Sequence, residues 1–237
     1  VVLVNGFSAS ASEFFAGVMQ DYNRALIVGS TTLGKATMQT ILPLEEGRNA
    51  QDFIKVTQDK FYRVTGKSSQ YTGIVPDVEL PSFFDDLLPR ESSMPTAIKN
   101  DSIPLTPSFT RMGTIDFKQA ITQSRLRTGK NTDFETISTV NTRINQLYNN
   151  NKPPLPVTFS SVFEDVHTMD DIWKSISDAT EKEQDFTVRN TTYALRQSGS
   201  DQFRKSTNDY RIKAAKTDIY IGEAINILND INHIHSN

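Results

Sequence analysis

The chain has 237 residues, a formal net charge of −3 and no cysteine. This slightly acidic balance provides no general attraction for nucleic acid, so we expect no nucleic-acid partner. The absence of cysteine excludes disulfides, thiolate nucleophiles and cysteine-based metal sites, and no apolar run approaches the length of a membrane span.

The first thirty residues predict a strand, a helix and a second strand. VVLVN (1–5) is a continuous apolar run, typical of a strand buried on both faces. Apolar residues then recur at helical spacing over 11–22, and RALIVG (24–29) predicts another buried strand. This order is a βαβ unit, which implies parallel pairing of the two strands.

Further strands are predicted at 38–44, 53–58 and 60–64, and an extended segment at 72–81. Residues 82–110, rich in proline, serine and acidic residues, predict a linker or wrapping segment. The remainder is polar and mostly helical in pattern. Its candidate helices are 115–127, 132–149, 168–184 and 207–231.

The predicted fold class is therefore α/β, with a βαβ unit and further strands, followed by a mainly α-helical C-terminal domain. The predicted boundaries are 1–81 for the α/β part, 82–110 for the linker and 111–237 for the helical domain. Because the chain opens directly inside a predicted strand, we expect it to be a segment of a longer protein.

Three serines alternate with alanines in SASAS (8–12), immediately after the first strand. Ser10 and Glu13 have the spacing of a capping box, and a helix cap alone would be worth about 1 kcal/mol. Lys35 lies in a glycine-containing turn after the second strand and has small or apolar neighbours. Since the loops after parallel strands emerge at one edge of a sheet, we expect Ser10 and Lys35 to meet there.

The block VLVNGFSASASEFFAGVMQDYNRALIVGSTTLGKATMQ resembles the active-site region of the C-terminal processing, or tail-specific, peptidases. The resemblance extends over residues 1–81, including Gly73, Pro76 and Asp77, and the turn around Lys35 departs from the family pattern at positions 30, 31, 33 and 36. DIYIGEAINILND (218–230) is similar to the helical extension of the larger periplasmic members.

The resemblance implies that Ser10 is the nucleophile, that Lys35 is the general base and that Gln39 orients the lysine. It also implies that the backbone N–H of Ala11 is one oxyanion donor, and that the other donor and a PDZ domain belong to sequence upstream of Val1. Lysine acts as a base only as the neutral amine, which burial among apolar groups favours. The amide oxygen of Gln39 can accept from that amine without adding a charge.

Asp21 and Arg24 flank the end of the first helix, and we expect them to support the site as a structural ion pair. A Ser-His-Asp triad is the rival arrangement, but His167, His233 and His235 all lie far from SASAS in sequence. Two other readings stay open: a non-catalytic ligand- or protein-binding module on the same fold, and an inactive fragment of the peptidase.

The leading hypothesis is a serine endopeptidase that cleaves proteins at or near apolar C-terminal tails, through a Ser/Lys dyad and an acyl-enzyme, without metal or cofactor. Its expected partners are protein or peptide substrates with apolar C-termini and an adaptor protein. The family resemblance implies a periplasmic or cell-envelope location. We also expect this chain to self-associate through its catalytic half and to hydrolyse peptides poorly, because strands and one oxyanion donor lie upstream.

Overall fold

The computed structural model of the chain describes residues 1–45, 51–104, 108–112, 115–148, 154–199 and 201–235. The predicted linker residues 105–107 and the end of the second predicted C-terminal helix, at 149, lie outside these ranges. The chain divides into two compact units, Val1–Lys118 and Gln119–Asn237. The sequence therefore correctly predicted the fold class, an α/β part followed by a mainly helical part.

The first unit is organised by a small parallel sheet. The sheet has the strand order β1 (Val2–Val4), β2 (Ile27–Gly29) and β5 (Val78–Glu79), and helix α1 (Ala11–Asp21) connects β1 to β2. Val4 pairs with Gly29 in the first ladder, and both ladders are parallel. The predicted βαβ unit is thus confirmed.

The core of this unit lies between α1 and the sheet. It contains Val4, Ala16, Ile27 and Ile74, with Met19 packed against them. Ile27 and Ile74 are completely buried, and full burial of such a side chain contributes about 1.5–3 kcal/mol. The core therefore fixes the start of α1 relative to the ends of β1 and β2.

Strand β1 differs from the prediction of burial on both faces. Leu3 is 39% exposed, and Val2 is only half-buried. These side chains are exposed because β1 lies at the edge of the three described strands and α1 covers only one of its faces.

Two further strands, β3 (Thr37–Pro43) and β4 (Phe53–Lys60), form an antiparallel pair. They confirm the strands predicted at 38–44 and 53–58. The strand predicted at 60–64 is wrong, because β4 ends at Lys60 and the chain then turns. The turn is closed by the N–H of Gly66, which donates to the carbonyl of Arg63 at 2.8 Å.

Residues 82–104 contribute two short 3₁₀ turns, Asp85–Leu87 and Glu91–Ser93, and pack on the first unit. The fully buried side chain of Gln70 donates to Glu91 Oε1 at 2.9 Å, and the N–H of Glu91 donates to the carbonyl of Leu33 at 3.0 Å. This segment therefore supports the turn that contains Lys35.

The described part of the second unit is helical. Its helices are α2 (Lys118–Thr128), α3 (Thr132–Leu147), α4 (Phe159–Glu181), α5 (Thr192–Ser198), α6 (Gln202–Thr217) and α7 (Ile219–His235). Among the described residues, none of the helices is long and apolar enough to cross a membrane.

The helices predicted at 115–127 and 132–149 correspond to α2 and α3. The single helix predicted at 207–231 is two helices, because the carboxylate of Asp218 accepts from the N–H groups of Tyr220 and Ile221 and so begins α7. Helix α4 begins nine residues earlier than the predicted 168, where Thr158 caps it by accepting from the N–H of Ser161. Helix α5 was not predicted.

A partly buried ionic cluster holds α2 against α7. Arg127 contacts Glu223 at 2.7 Å and Asp230 at 3.0 Å, and the hydroxyl of Ser124 donates to Glu223 at 2.6 Å. The side chain of Glu223 is only 4% exposed. Its hydrogen bonds raise the pKa of the Arg127 guanidinium above its usual value, although partial burial opposes the shift.

Replacing Arg127 by Met should destabilise this unit by about 3–5 kcal/mol, because it leaves the carboxylate of Glu223 buried without its cation. Trp173 is the only tryptophan of the chain and lies in α4, so its fluorescence during urea unfolding reports on this unit. The matched control is Lys130→Met at an exposed position. A loss for Arg127→Met no larger than that for Lys130→Met would contradict the prediction.

Candidate active site

Ser10 lies at the start of α1, on the short loop that follows β1. It is the N-cap residue and has φ 56° and ψ −115°, a backbone conformation that non-glycine residues rarely adopt. The loop is closed by the N–H of Ser8, which donates to the carbonyl of Asn5 at 2.8 Å. Strained residues of this kind cluster at functional sites, where the surrounding structure holds them in place.

The turn that contains Lys35 lies beside this loop. It follows β2, and the N–H of Leu33 donates to the carbonyl of Ser8 at 3.0 Å. The loops after two adjacent parallel strands are therefore in direct contact at one edge of the sheet, as the βαβ geometry requires.

The carboxylate of Glu13 connects the two loops. Its Oε2 accepts from the N–H groups of Ser10 and Lys35, both at 2.8 Å. Its Oε1 accepts from the N–H of Gly34 at 2.8 Å and from the hydroxyl of Thr32 at 2.5 Å. Glu13 is 1% exposed, and these four donors replace the water that its charge would otherwise need.

The sequence indicated Glu13 only as the partner of Ser10 in a capping box. The half of that box in which the carboxylate accepts from the N–H of Ser10 is present. The three bonds to residues 32–35 were missed, since no local pattern connects Glu13 to a turn about twenty residues later. The available signal for an additional role of Glu13 was an acidic residue at the third position of α1.

The amine of Lys35 contacts Gln39. Nζ donates to Gln39 Oε1 at 3.2 Å, and Gln39 Nε2 donates in turn to the hydroxyl of Thr57 at 3.3 Å. The pairing of β3 with β4 has a register irregularity between Met38 and Gln39, and β-bulges are common next to active sites. Within the described residues, no hydrogen bond joins the amine to the hydroxyl of Ser10, so the dyad stays a prediction.

The backbone N–H of Ala11 lies at the first turn of α1. It has no hydrogen-bond acceptor within the part of the chain that the structure describes, and the residue is exposed. The partial positive charge of a helix N-terminus is favourable for an anion at this position.

Asp21 forms a different ion pair from the predicted one. Its carboxylate contacts Arg63, with Nη2 to Oδ1 at 2.5 Å and Nε to Oδ2 at 2.8 Å, whereas Arg24 is exposed. Asp21 is 7% exposed, so its carboxylate is largely removed from water. The two hydrogen bonds from the guanidinium of Arg63 replace that hydration and neutralise the charge. The pair links the end of α1 to the segment after β4.

Gly73 closes the turn of residues 30–36 from the other side. Its φ is +73°, and a Cβ there would lie 2.4 Å from the carbonyl oxygen of Thr32. Asp77 accepts from the N–H of Ile27 at 2.8 Å and so fixes the start of β2. Gly73 and Asp77, two of the three residues named in the predicted G-x-x-P-D element, therefore hold the strand and turn that lead to Lys35.

Within the described ranges, no group of three or more His, Asp or Glu side chains is arranged to hold a metal ion. The site that the structure does assemble consists of the Ser10 loop, the Lys35 turn and the Glu13 carboxylate between them.

Comparison with known proteins shows that the part of the chain containing this site is similar to a peptidase family. The sequence model of peptidase family S41 matches residues 1–80. The tail-specific protease of Haemophilus influenzae is 37% identical over 120 residues, which are 49% of this chain and 17% of that protein. The carboxy-terminal-processing protease of Bartonella bacilliformis is 46% identical over 78 residues, which are 33% of this chain and 17% of that protein.

Among solved structures, the photosystem II D1 C-terminal processing protease is 33% identical, with 38% of this chain and 26% of that chain covered and a TM-score of 0.28. The alignments with the two bacterial relatives extend over only about a sixth of their length, 17% in each case. Residues 1–80 of the chain are therefore similar to peptidase family S41.

Proposed function

We propose that this chain provides the nucleophile and the general base of a serine endopeptidase that cleaves proteins at or near apolar C-terminal tails. One observation carries the proposal: a single buried carboxylate, that of Glu13, accepts from the backbone N–H groups of both Ser10 and Lys35. The two residues are thus held in one constellation, although they are 25 positions apart in the sequence.

In the proposed reaction, neutral Lys35 Nζ takes the proton of the Ser10 hydroxyl while Oγ attacks the scissile carbonyl. The C–N bond then breaks, the leaving amine takes the proton from Lys35, and the acyl group stays on Ser10 as an ester. Water hydrolyses that ester with Lys35 again as the base. The N–H of Ala11 supports the proposal as a donor to the oxyanion of both tetrahedral intermediates.

Gln39 supports the proposal by orienting the base. Its amide oxygen already accepts from Lys35 Nζ at 3.2 Å. The proposed proton transfer requires the amine to contact the hydroxyl of Ser10, and catalytic hydrogen bonds often tighten only once substrate is bound. From the same family resemblance we also propose a periplasmic or cell-envelope location and an adaptor protein as partner.

The experiment that tests the proposal is active-site labelling of the full-length protein with a fluorophosphonate, a reagent that esterifies activated serines. We expect a single phosphonylated residue, Ser10, when the protein is mapped by mass spectrometry. Lys35→Ala should suppress labelling while leaving the fold intact, because Glu13 binds the backbone of residue 35 and not its side chain.

Ser12→Ala is the matched control, since Ser12 is an exposed neighbouring serine on the same helix turn. It should be labelled at Ser10 as the parent protein is. A folded protein with no label at Ser10 would overturn the proposal in favour of a non-catalytic binding module.

A further inference from the structure

A buried amide side chain, that of Gln70, connects the Lys35 turn to the segment that follows β5. We propose that Gln70 and Glu91 are positioning residues for the general base: together they hold the backbone on both sides of Lys35 and so set the position of its amine. This inference rests on the proposed function. It adds two side chains that act through the turn and not on the substrate.

The amide of Gln70 is engaged at both ends. Its Oε1 accepts from the backbone N–H of Ala36 at 2.7 Å, and its Nε2 donates to Glu91 Oε1 at 2.9 Å and to the carbonyl of Ile98 at 3.1 Å. Turning the amide over would set its NH₂ group against the N–H of Ala36, so only one orientation satisfies all three partners. The partners on the far side therefore determine which atom Gln70 presents to the turn.

The backbone N–H groups around Lys35 end on buried side chains. Those of Gly34 and Lys35 donate to Glu13, and that of Ala36 donates to Gln70. Glu13 and Gln70 are both fully removed from solvent. Because a buried backbone donor needs a partner, these two side chains together fix three consecutive residues, with the proposed base in the middle.

Glu91 completes the arrangement. Its carboxylate accepts from Gln70, and its own N–H donates to the carbonyl of Leu33 at 3.0 Å. This one buried residue thus orients the amide that holds the turn after Lys35 and also binds the turn before it. Glu91 lies outside residues 1–80, the part that is similar to the peptidase family. The position of the proposed base therefore depends on a later part of the chain.

This arrangement predicts an effect on the rate of the chemical step. Proton transfer needs the amine within hydrogen-bond range of the serine, and a displacement of about 1 Å can lower the rate by about 10²-fold. Gln70 is 0% exposed, so its side chain cannot itself touch a substrate. Loss of its hydrogen bond to Ala36 should consequently lower kcat and leave KM nearly unchanged.

The first test replaces Gln70 by Met in the full-length protein, which keeps a long side chain but removes both hydrogen-bonding groups. We expect kcat to fall by about 10²-fold, with slower fluorophosphonate labelling and faster hydrogen exchange at the N–H of Ala36. Expressing kcat per Ser10 labelled at completion leaves unfolded protein out, so a role in folding alone would not change it. Gln51→Met, at an exposed position, is the matched control and should behave as the parent protein does.

The second test exchanges the two partners. Gln70→Glu sets a carboxylate against that of Glu91, where a hydrogen bond of 2.9 Å now lies, and should lower kcat as Gln70→Met does. Glu91→Gln keeps an acceptor oxygen and should cause a smaller loss. Combining Gln70→Glu with Glu91→Gln restores one donor and one acceptor between the side chains, while the N–H of Ala36 keeps an acceptor. The double variant should therefore recover to within about tenfold of the parent kcat.

The outcomes separate this inference from the proposed function. If the parent protein is labelled at Ser10 and active, but Gln70→Met and Gln70→Glu keep its kcat per labelled site, the positioning role is overturned and the peptidase proposal stands. A double variant no better than Gln70→Glu would overturn the role of Glu91. A parent protein that is neither labelled nor active would overturn both proposals. Should Gln70→Met not fold, Gln70→Glu and the double variant decide, since they preserve the size of both side chains.

Discussion

Ser10→Ala in the full-length protein should abolish peptide hydrolysis, with a loss in kcat on the order of 10⁶-fold, the cost of removing a serine nucleophile from an assembled site. The substitution removes one hydroxyl and leaves the backbone N–H that Glu13 accepts from, so the Ser10 loop should keep its conformation. Lys35→Ala should cause a loss of comparable size, because the proposed nucleophile and base would act as a unit.

The measurement is kcat and KM for a peptide with an apolar C-terminal tail, with circular dichroism to confirm folding. Ser12→Ala is the control and should retain the activity of the parent protein. Combining Ser10→Ala with Lys35→Ala should add little to either single loss. Substantial turnover by a folded Ser10→Ala protein would refute the Ser/Lys mechanism.

Glu13→Ala should have the second-largest effect. It leaves the N–H groups of Ser10, Gly34 and Lys35 without their acceptor and empties a buried site, at a cost of about 1–3 kcal/mol for each donor that water does not reach. We expect kcat to fall by about 10²-fold or more, because a displacement near 1 Å between nucleophile and base is enough for that. KM should change less, since Glu13 is a positioning residue and its carboxylate is occupied.

Glu13→Gln separates positioning from packing. The amide has nearly the same shape but only one acceptor oxygen, so its NH₂ group must face either the N–H of Gly34 or those of Ser10 and Lys35. We therefore expect kcat to fall here too, with faster hydrogen exchange at the amides of residues 34 and 35. Glu79→Gln, at an exposed position of β5, is the control. Unchanged exchange and unchanged kcat in Glu13→Gln would show that the carboxylate does not hold the two loops.

Much of the first unit could be read from local patterns. The alternation of an apolar run, a helical repeat and a second apolar run predicted β1, α1 and β2, because strands and helices of these lengths have distinct apolar periods. The same βαβ order predicted that the loops after β1 and β2 lie together, since parallel strands send their carboxyl ends to one edge. The hydrogen bond from the N–H of Leu33 to the carbonyl of Ser8 confirms that these two loops are in contact.

Other features of the chain could not be read in this way. The sequence predicted an ion pair between Asp21 and Arg24, which are neighbours along the chain, whereas the partner of Asp21 is Arg63, 42 positions away. Leu3 was expected to be buried, but its exposure depends on how many strands lie beyond β1 in the sheet. The boundary between α6 and α7 depends on the side chain of Asp218, which could equally have continued a helix.

By itself, the sequence determined the residue types of the site and the order of elements that brings Ser10 and Lys35 to one edge, because both follow from short-range periodicity and from the direction of parallel strands. Only the tertiary structure decided how the edge is held together. A buried carboxylate must find donors wherever the fold places them, and for Glu13 three of these come from residues 32–35. The contact between Phe14 of α1 and Phe61 of the segment after β4 likewise depends on the tertiary structure, because the two residues are almost fifty positions apart.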